Sequence, residues 1–132
     1  MAETEQLEDL VPEIDRDFLT EKIAKFGVAK SGNDVLVIIH DFEFPDAYAP
    51  RTADLMIILP AGYPNANLDM FWTTPDVKLK NGSWPDRATE RGTYNNINWQ
   101  RWSRHFPQQW RQGVDNLRTF VTTIRRELAR GV

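Results

Sequence analysis

Ser103 and His105 stand two residues apart in Trp99-Gln100-Arg101-Trp102-Ser103-Arg104-His105-Phe106, an aromatic-rich stretch that Trp110 closes. A serine hydroxyl is a weak nucleophile until a base takes its proton and donors stabilise the oxyanion that forms. The His105 imidazole offers the base. The side-chain amides of Asn95, Asn96 and Asn98 offer the donors. In an extended segment residues i and i+2 share a face, so Ser103 and His105 would look into one cleft; in a helical turn they would not. The plainer alternative is a loop in which Trp99, Trp102 and Trp110 fill space, and Ser-x-His is incidental.

Other chemistries find no support. The chain has 132 residues and no cysteine, which excludes disulfides, cysteine-ligated metals and a thiol nucleophile. No acidic or histidine cluster has metal-ligand spacing, and no Gly-rich phosphate loop or G-x-S-x-G elbow occurs. Neither a metal nor a cofactor is expected. The aliphatic runs Val35–Ile39 and Leu55–Leu59 are far shorter than the ~20 residues that span a bilayer. The acidic N-terminus lacks the basic flank and apolar stretch of a secretion signal, so a cytoplasmic protein is expected.

Charge is unevenly spread. Residues 1–21 carry eight acids against Arg16, whereas residues 101–132 carry seven arginines against Asp115 and Glu127. Such asymmetry steers partners or is simply solvated. Tryptophans beside arginines resemble a single-strand stacking platform, but the overall charge of −3 and the acidic head argue against a nucleic-acid partner.

The elements that would position this serine can be read from periodicity. Residues 1–13 read as an acidic flexible tail and 14–132 as one domain. Phe18, Leu19, Ile23 and Phe26 fall at helical spacing, with Asp15 as the capping residue and Gly27 as the stop. Val35–Ile39 (running on to Phe44), Ala53–Leu59 and Leu68–Thr73 read as three strands of an antiparallel meander. Residues 75–112 show no clear period and read as one long irregular loop. Val114, Leu117, Val121, Ile124 and Leu128 then mark a helix opened by Gly113 or Asp115. Helices flanking a run of strands imply an α+β fold.

With this order in hand, the chain resembles the ubiquitin-conjugating (E2) fold, and in particular prokaryotic E2-like proteins encoded beside E1-like and JAB-type peptidase genes. The corner Leu59-Pro60-Ala61-Gly62-Tyr63-Pro64 is similar to the E2 F-P-x-x-Y-P corner, with Leu in place of Phe. Asn96-Ile97-Asn98 is similar to the asparagine segment ahead of the E2 active site, and Trp110 to the tryptophan after it. Trp102–His105, with Trp110, Gly113 and Asp115 downstream, is similar to one bacterial subgroup. The resemblance covers residues 14–130. It implies a UBC-type fold and a carrier that takes a ubiquitin-like C-terminus from an E1-like adenylating enzyme. The partners implied are that enzyme, the ubiquitin-like protein and a JAB-type peptidase.

The E2 cysteine position falls at or next to Ser103. Three explanations stay open: a native serine that forms an oxyester, a serine that replaces a native cysteine, or an E2-like or RWD-like interaction module without chemistry. About a few per cent of a thiol is thiolate near neutrality, whereas a serine needs general-base help worth ~10²–10⁴ in rate. His105 meets that need, with Asn96 or Asn98 as oxyanion donor. Arg101 and Arg104 are candidate contacts for the ubiquitin-like tail or the E1 surface. Arg16 and Lys22 of the first helix are candidate E1 contacts.

Overall fold

The computed structural model describes residues 10–104 and 110–132. Helix α1 (Glu13–Lys22) precedes strands β1 (Phe26–Ser31), β2 (Asp34–Glu43), β3 (Tyr48–Ala49), β4 (Thr52–Leu59) and β5 (Phe71–Thr74). Strands β6 (Lys78–Leu79), β7 (Glu90–Tyr94) and β8 (Ile97–Trp102) follow, and helix α2 (Leu117–Leu128) comes last. A six-stranded antiparallel sheet runs β1-β2-β4-β5-β8-β7, and β3 pairs with β6 apart from it. The architecture is α+β, as the sequence order implies.

Both helices cover one face of this sheet. Val37, Ile39, Leu55, Ile57 and Leu59 alternate along β2 and β4 and meet Leu19 of α1 and Leu117, Phe120, Val121, Ile124 and Leu128 of α2. Each such side chain contributes about 1.5–3 kcal/mol by leaving water. Among the described residues no helix is long and apolar enough to cross a membrane.

Four boundaries differ from the sequence reading. The first helix stops at Lys22, and Phe26, read as its last apolar contact, opens β1 instead. Val11 is buried in the core with Leu10 packed against it, so packing begins inside the stretch read as a tail. Asp15 sits within α1, behind Pro12, and does not cap it. Helix α2 opens at Asn116, not at Gly113 or Asp115: the Asn116 side chain accepts from the Thr119 N–H while Thr119 Oγ1 accepts from the Asn116 N–H.

The largest correction concerns residues 75–112. They hold the β7–β8 hairpin, which extends the meander into a wider sheet. Asn95 and Asn96 form its two-residue turn, both with positive φ (52° and 63°). That is the type I′ geometry whose twist matches the flanking strands, and asparagine tolerates it.

The sheet's other face carries its own small core of Leu36, Met56, Trp72 and Trp99. It requires a glycine opposite Trp99 on β7. A Cβ on Gly92 would lie 2.7 Å from Trp72 Cζ3 and 3.4 Å from Tyr94 Cε2. Gly92→Ala is therefore expected to cost about 1–3 kcal/mol by overpacking. Urea denaturation reads this loss, and a Trp72→Phe background should shrink it, because the clash is with the larger ring.

Candidate functional site

Strand β8 presents Gln100 and Trp102 to the helix-covered core and Trp99 to the opposite face, following the two-residue period of a strand. Trp102 stacks on Phe71 with centroids 5.1 Å apart and meets Tyr48 edge-on at 5.9 Å. Trp99 and Trp102 are fully buried packing residues, so neither offers a surface on which a base could stack.

Gln100, also fully buried, uses its whole amide. Oε1 accepts from Thr73 Oγ1 at 2.9 Å and from the Val77 N–H at 2.7 Å. Nε2 donates to the Val77 carbonyl at 2.9 Å and to the Ala88 carbonyl at 3.0 Å. Thr73 Oγ1 in turn accepts from Trp102 Nε1 at 2.9 Å. This chain of bonds fastens the 77–88 connection to the sheet, which matters because that connection holds Arg87.

Ser103 follows β8 and is half-buried. Its N–H donates to the Arg87 carbonyl at 2.9 Å and its hydroxyl reaches the same oxygen at 3.3 Å. The hydroxyl thus stands at the surface at the end of a rigid strand, held by a backbone acceptor. His105 lies outside the described residues.

The two asparagines do not join Ser103. Asn96 lies in the exposed hairpin turn. Asn98 lies on β8 and accepts from Arg91 Nε at 2.7 Å. Asn98 and Ser103 are five positions apart, about 16 Å along an extended chain, and the odd offset turns their side chains to opposite sides. Proximity in sequence suggested a shared cleft; the hairpin spreads the residues along its length.

The arginines are engaged within the chain. Arg104 is 3% exposed, donates Nε to the Asp86 carbonyl at 3.0 Å, pairs with Glu127, bonds the Val132 carbonyl and lies 5.0 Å over the Trp102 ring. It joins the end of β8 to the end of α2 and is not presented to a partner, contrary to the sequence expectation. Arg101 pairs with Glu90 at 3.1 Å, contacts Met70 Sδ and lies 5.8 Å from the Trp72 ring centre. Arg16 is half-buried and donates to the Val11 carbonyl at 2.8 Å. Lys22 is exposed at the end of α1.

The Tyr63-Pro64 corner, between β4 and β5, is fastened at two points. Tyr63 O–H donates to Asp15 Oδ2 at 2.5 Å, and Asp15 Oδ1 accepts from the Leu117 N–H at 3.1 Å, so one carboxylate on α1 holds both the corner and the first turn of α2. Trp110 Nε1 donates to the Pro64 carbonyl at 2.9 Å. Burial pushes the Asp15 carboxyl up, with the bonds from Tyr63 and Leu117 pulling the other way. Burial first, and then the bond and charge of Asp15, raise the Tyr63 phenol well above its ordinary value.

Sequence reasoning passed over Gln100, Thr73, Arg87 and Asp15 as supports of this region. None of the four left a periodic signal in the sequence; Gln100 lies between Trp99 and Trp102, which are three residues apart and face opposite sides of the sheet. Among the described residues no group of acids and histidines has the makings of a metal site. The model of prokaryotic E2 family E matches residues 11–131. No curated protein and no solved structure matches the chain.

Proposed function

The chain belongs to prokaryotic E2 family E, and from that premise we propose that it is an E2-like carrier whose acceptor atom is Ser103 Oγ. Oγ attacks the C-terminal carbonyl carbon of a ubiquitin-like protein activated by an E1-like adenylating enzyme. Its proton passes to the His105 imidazole, the bond from that carbon to the E1-held leaving group breaks, and an oxyester remains. A target amine or hydroxyl then attacks the ester, and Oγ regains a proton as it leaves. A JAB-type peptidase would act in the same pathway, and Lys22, Arg16 and Arg101 would meet the partners.

One observation carries this reading: in a cysteine-free member of an E2 family, Ser103 brings a half-exposed hydroxyl to the end of β8. The hydroxyl is tethered to one carbonyl, a bond that a base can replace as the substrate arrives. Asn96 and Asn98 stand too far along the hairpin to serve as oxyanion donors in this arrangement.

Incubating the chain with the E1-like enzyme, the ubiquitin-like protein and ATP should give an adduct that survives reductant and is cleaved by hydroxide. Ser103→Ala should abolish it, and Ser103→Cys should turn it into a reductant-labile thioester. An adduct persisting in Ser103→Ala overturns the assignment.

A second reading has its own support. Both the amide and the hydroxyl of Ser103 are directed at the Arg87 carbonyl, and Arg104 is buried, as suits an interaction module without chemistry. It predicts E1 binding with no adduct in the same mixture.

A further inference from the structure

The two outermost strands of the six-stranded sheet present different edges. β7, at one end, carries Glu90 and Arg91, which are held in ion pairs with Arg101 at 3.1 Å and with Asp76 at 2.7 Å. Charged side chains of this kind keep an open edge from pairing with another chain. β1, at the other end, reads Phe26-Gly27-Val28-Ala29-Lys30-Ser31, with no acid, no proline and a single lysine.

The backbone of β1 is open along its outer side. The Lys25 carbonyl accepts from the His40 N–H at 3.0 Å, so by alternation Lys25, Gly27, Ala29 and Ser31 direct their backbone groups to β2. Phe26, Val28 and Lys30 direct theirs outwards, and no hydrogen bond among the described residues reaches them. Their side chains lie on the helix-covered face, where Phe26 and Val28 pack against the rim of the core and Lys30 is exposed. Gly27, Ala29 and Ser31, on the other face, are too small to shield the edge from that side.

This edge is complementary to itself. Antiparallel pairing with a second β1 about Val28 sets Val28 against Val28, Phe26 against Lys30, Gly27 against Ala29 and Lys25 against Ser31. The outward N–H and C=O of Phe26, Val28 and Lys30 then all meet partners. The valines touch across the axis, and the Lys30 stem lies along the Phe26 ring with its ammonium in water. No lysine faces a lysine. A two-fold axis needs one patch that fits its own copy, and this register supplies it.

We infer that β1 is the contact edge of a homodimer, in which two copies of the chain join their sheets by β1–β1 pairing about Val28. The self-complementary register selects a second copy as the occupant. A strand edge covers less than the ~800 Å² per partner of a standard interface, so the dimer is weak, with a dissociation constant of about 100 μM. Ser103 follows β8, which β2, β4 and β5 separate from β1, so pairing leaves the hydroxyl of each copy uncovered. The dimer stands whether or not Ser103 carries out chemistry.

Sedimentation of the full chain from about 10 μM to about 1 mM should show the mass rising from monomer to dimer. Lys30→Pro removes an outward N–H that β2 does not use, at an exposed position, and should weaken the dimer about tenfold or more. Thr93→Pro, the matching change on the β7 edge, should leave it unchanged. The chain has no cysteine, so single thiols report the register. Val28→Cys places two thiols opposite each other within disulfide reach. Mild oxidation should link its copies about tenfold faster than those of Ser31→Cys, whose mirrored residue is Lys25. Thermal melts show that the variants fold. A chain that is still monomeric at about 1 mM leaves the edge to a strand of another protein and overturns the inference. So does a dimer that survives Lys30→Pro, one that Thr93→Pro weakens instead, or equal linking through both thiols.

Discussion

Replacing Gln100 with leucine should cost about 4 kcal/mol or more, a large part of the stability of a domain this size. Leucine is close in size but offers neither donor nor acceptor. The Val77 N–H and the Val77 and Ala88 carbonyls would be left in the core facing apolar atoms, and Thr73 would lose its acceptor. Each buried polar group left without a partner costs about 1–3 kcal/mol. Thr73→Val keeps the shape and removes one hydroxyl, so it should cost about 1–2 kcal/mol, mainly by stranding Trp102 Nε1. The double variant should lose less than the sum, because both substitutions break the same bond. Denaturant midpoints of the four proteins give the cycle. A Gln100→Leu protein within about 1 kcal/mol of the parent would mean that water or a rearranged loop replaces the amide.

Asp15 should show a contrast between two substitutions. Asp15→Ala removes the acceptor for both the Tyr63 hydroxyl and the Leu117 N–H, and should cost about 2–3 kcal/mol. Asp15→Asn can still accept from Leu117 through its oxygen and donate to the Tyr63 oxygen through its nitrogen. It should stay within about 1 kcal/mol of the parent near neutrality. The pH dependence follows from the direction of the shift. The folded-state pKa of Asp15 lies above its ordinary value of 3.8, so between those two values the native chain binds more protons than the unfolded one. Stability therefore falls as pH rises through that window and is greatest below it, as far as this group is concerned. Asp15→Asn should remove that slope. Thermal melts from acid to neutral pH on both proteins check it; an unchanged slope assigns the dependence to another group.

How much of this was legible in the sequence depended on whether burial and residue type agreed. Val35–Ile39 and Leu55–Leu59 are apolar on both sheet faces because Leu36 and Met56 supply the second core while their neighbours supply the first, so their runs read as strands at once. Helix α2 was nearly as plain, since Leu117, Val121, Ile124 and Leu128 recur at three and four and are all buried, whereas Val114, read with them, is exposed ahead of the helix. The β7–β8 hairpin was hidden. Its inward positions include Gln100, a polar residue whose partners come from distant segments, and β7 reads Glu-Arg-Gly-Thr-Tyr with little apolar content. The Asn95-Asn96 pair is a turn signal whose side-chain amides equally suit oxyanion donors, so the sequence alone does not separate the two roles. Asp15 was placed at the right helix and given the wrong task. A carboxylate near a helix start suggests a local cap, whereas this one reaches across to Leu117, 102 residues away in sequence. The resemblance to E2 proteins rested on the corner, the Asn96-Ile97-Asn98 segment, Trp110 and the element order; the corner and the flanking helices stand as read, while the long loop of that order holds the β7–β8 hairpin.

The bond between the Ser103 N–H and the Arg87 carbonyl has a consequence for exchange with solvent. Arg87 sits one residue before Ala88, whose carbonyl is held by Gln100, and Ser103 follows Trp102, whose ring lies in the core. No small local fluctuation frees one end of this bond while the other stays fixed. The Ser103 amide should exchange with deuterium only in openings that disturb the Gln100 network, near the slow limit set by the sheet. The position of the hydroxyl and the cooperativity of the domain are therefore one property, and substitutions deep beneath β8 would be felt first as a loss of aim at Ser103.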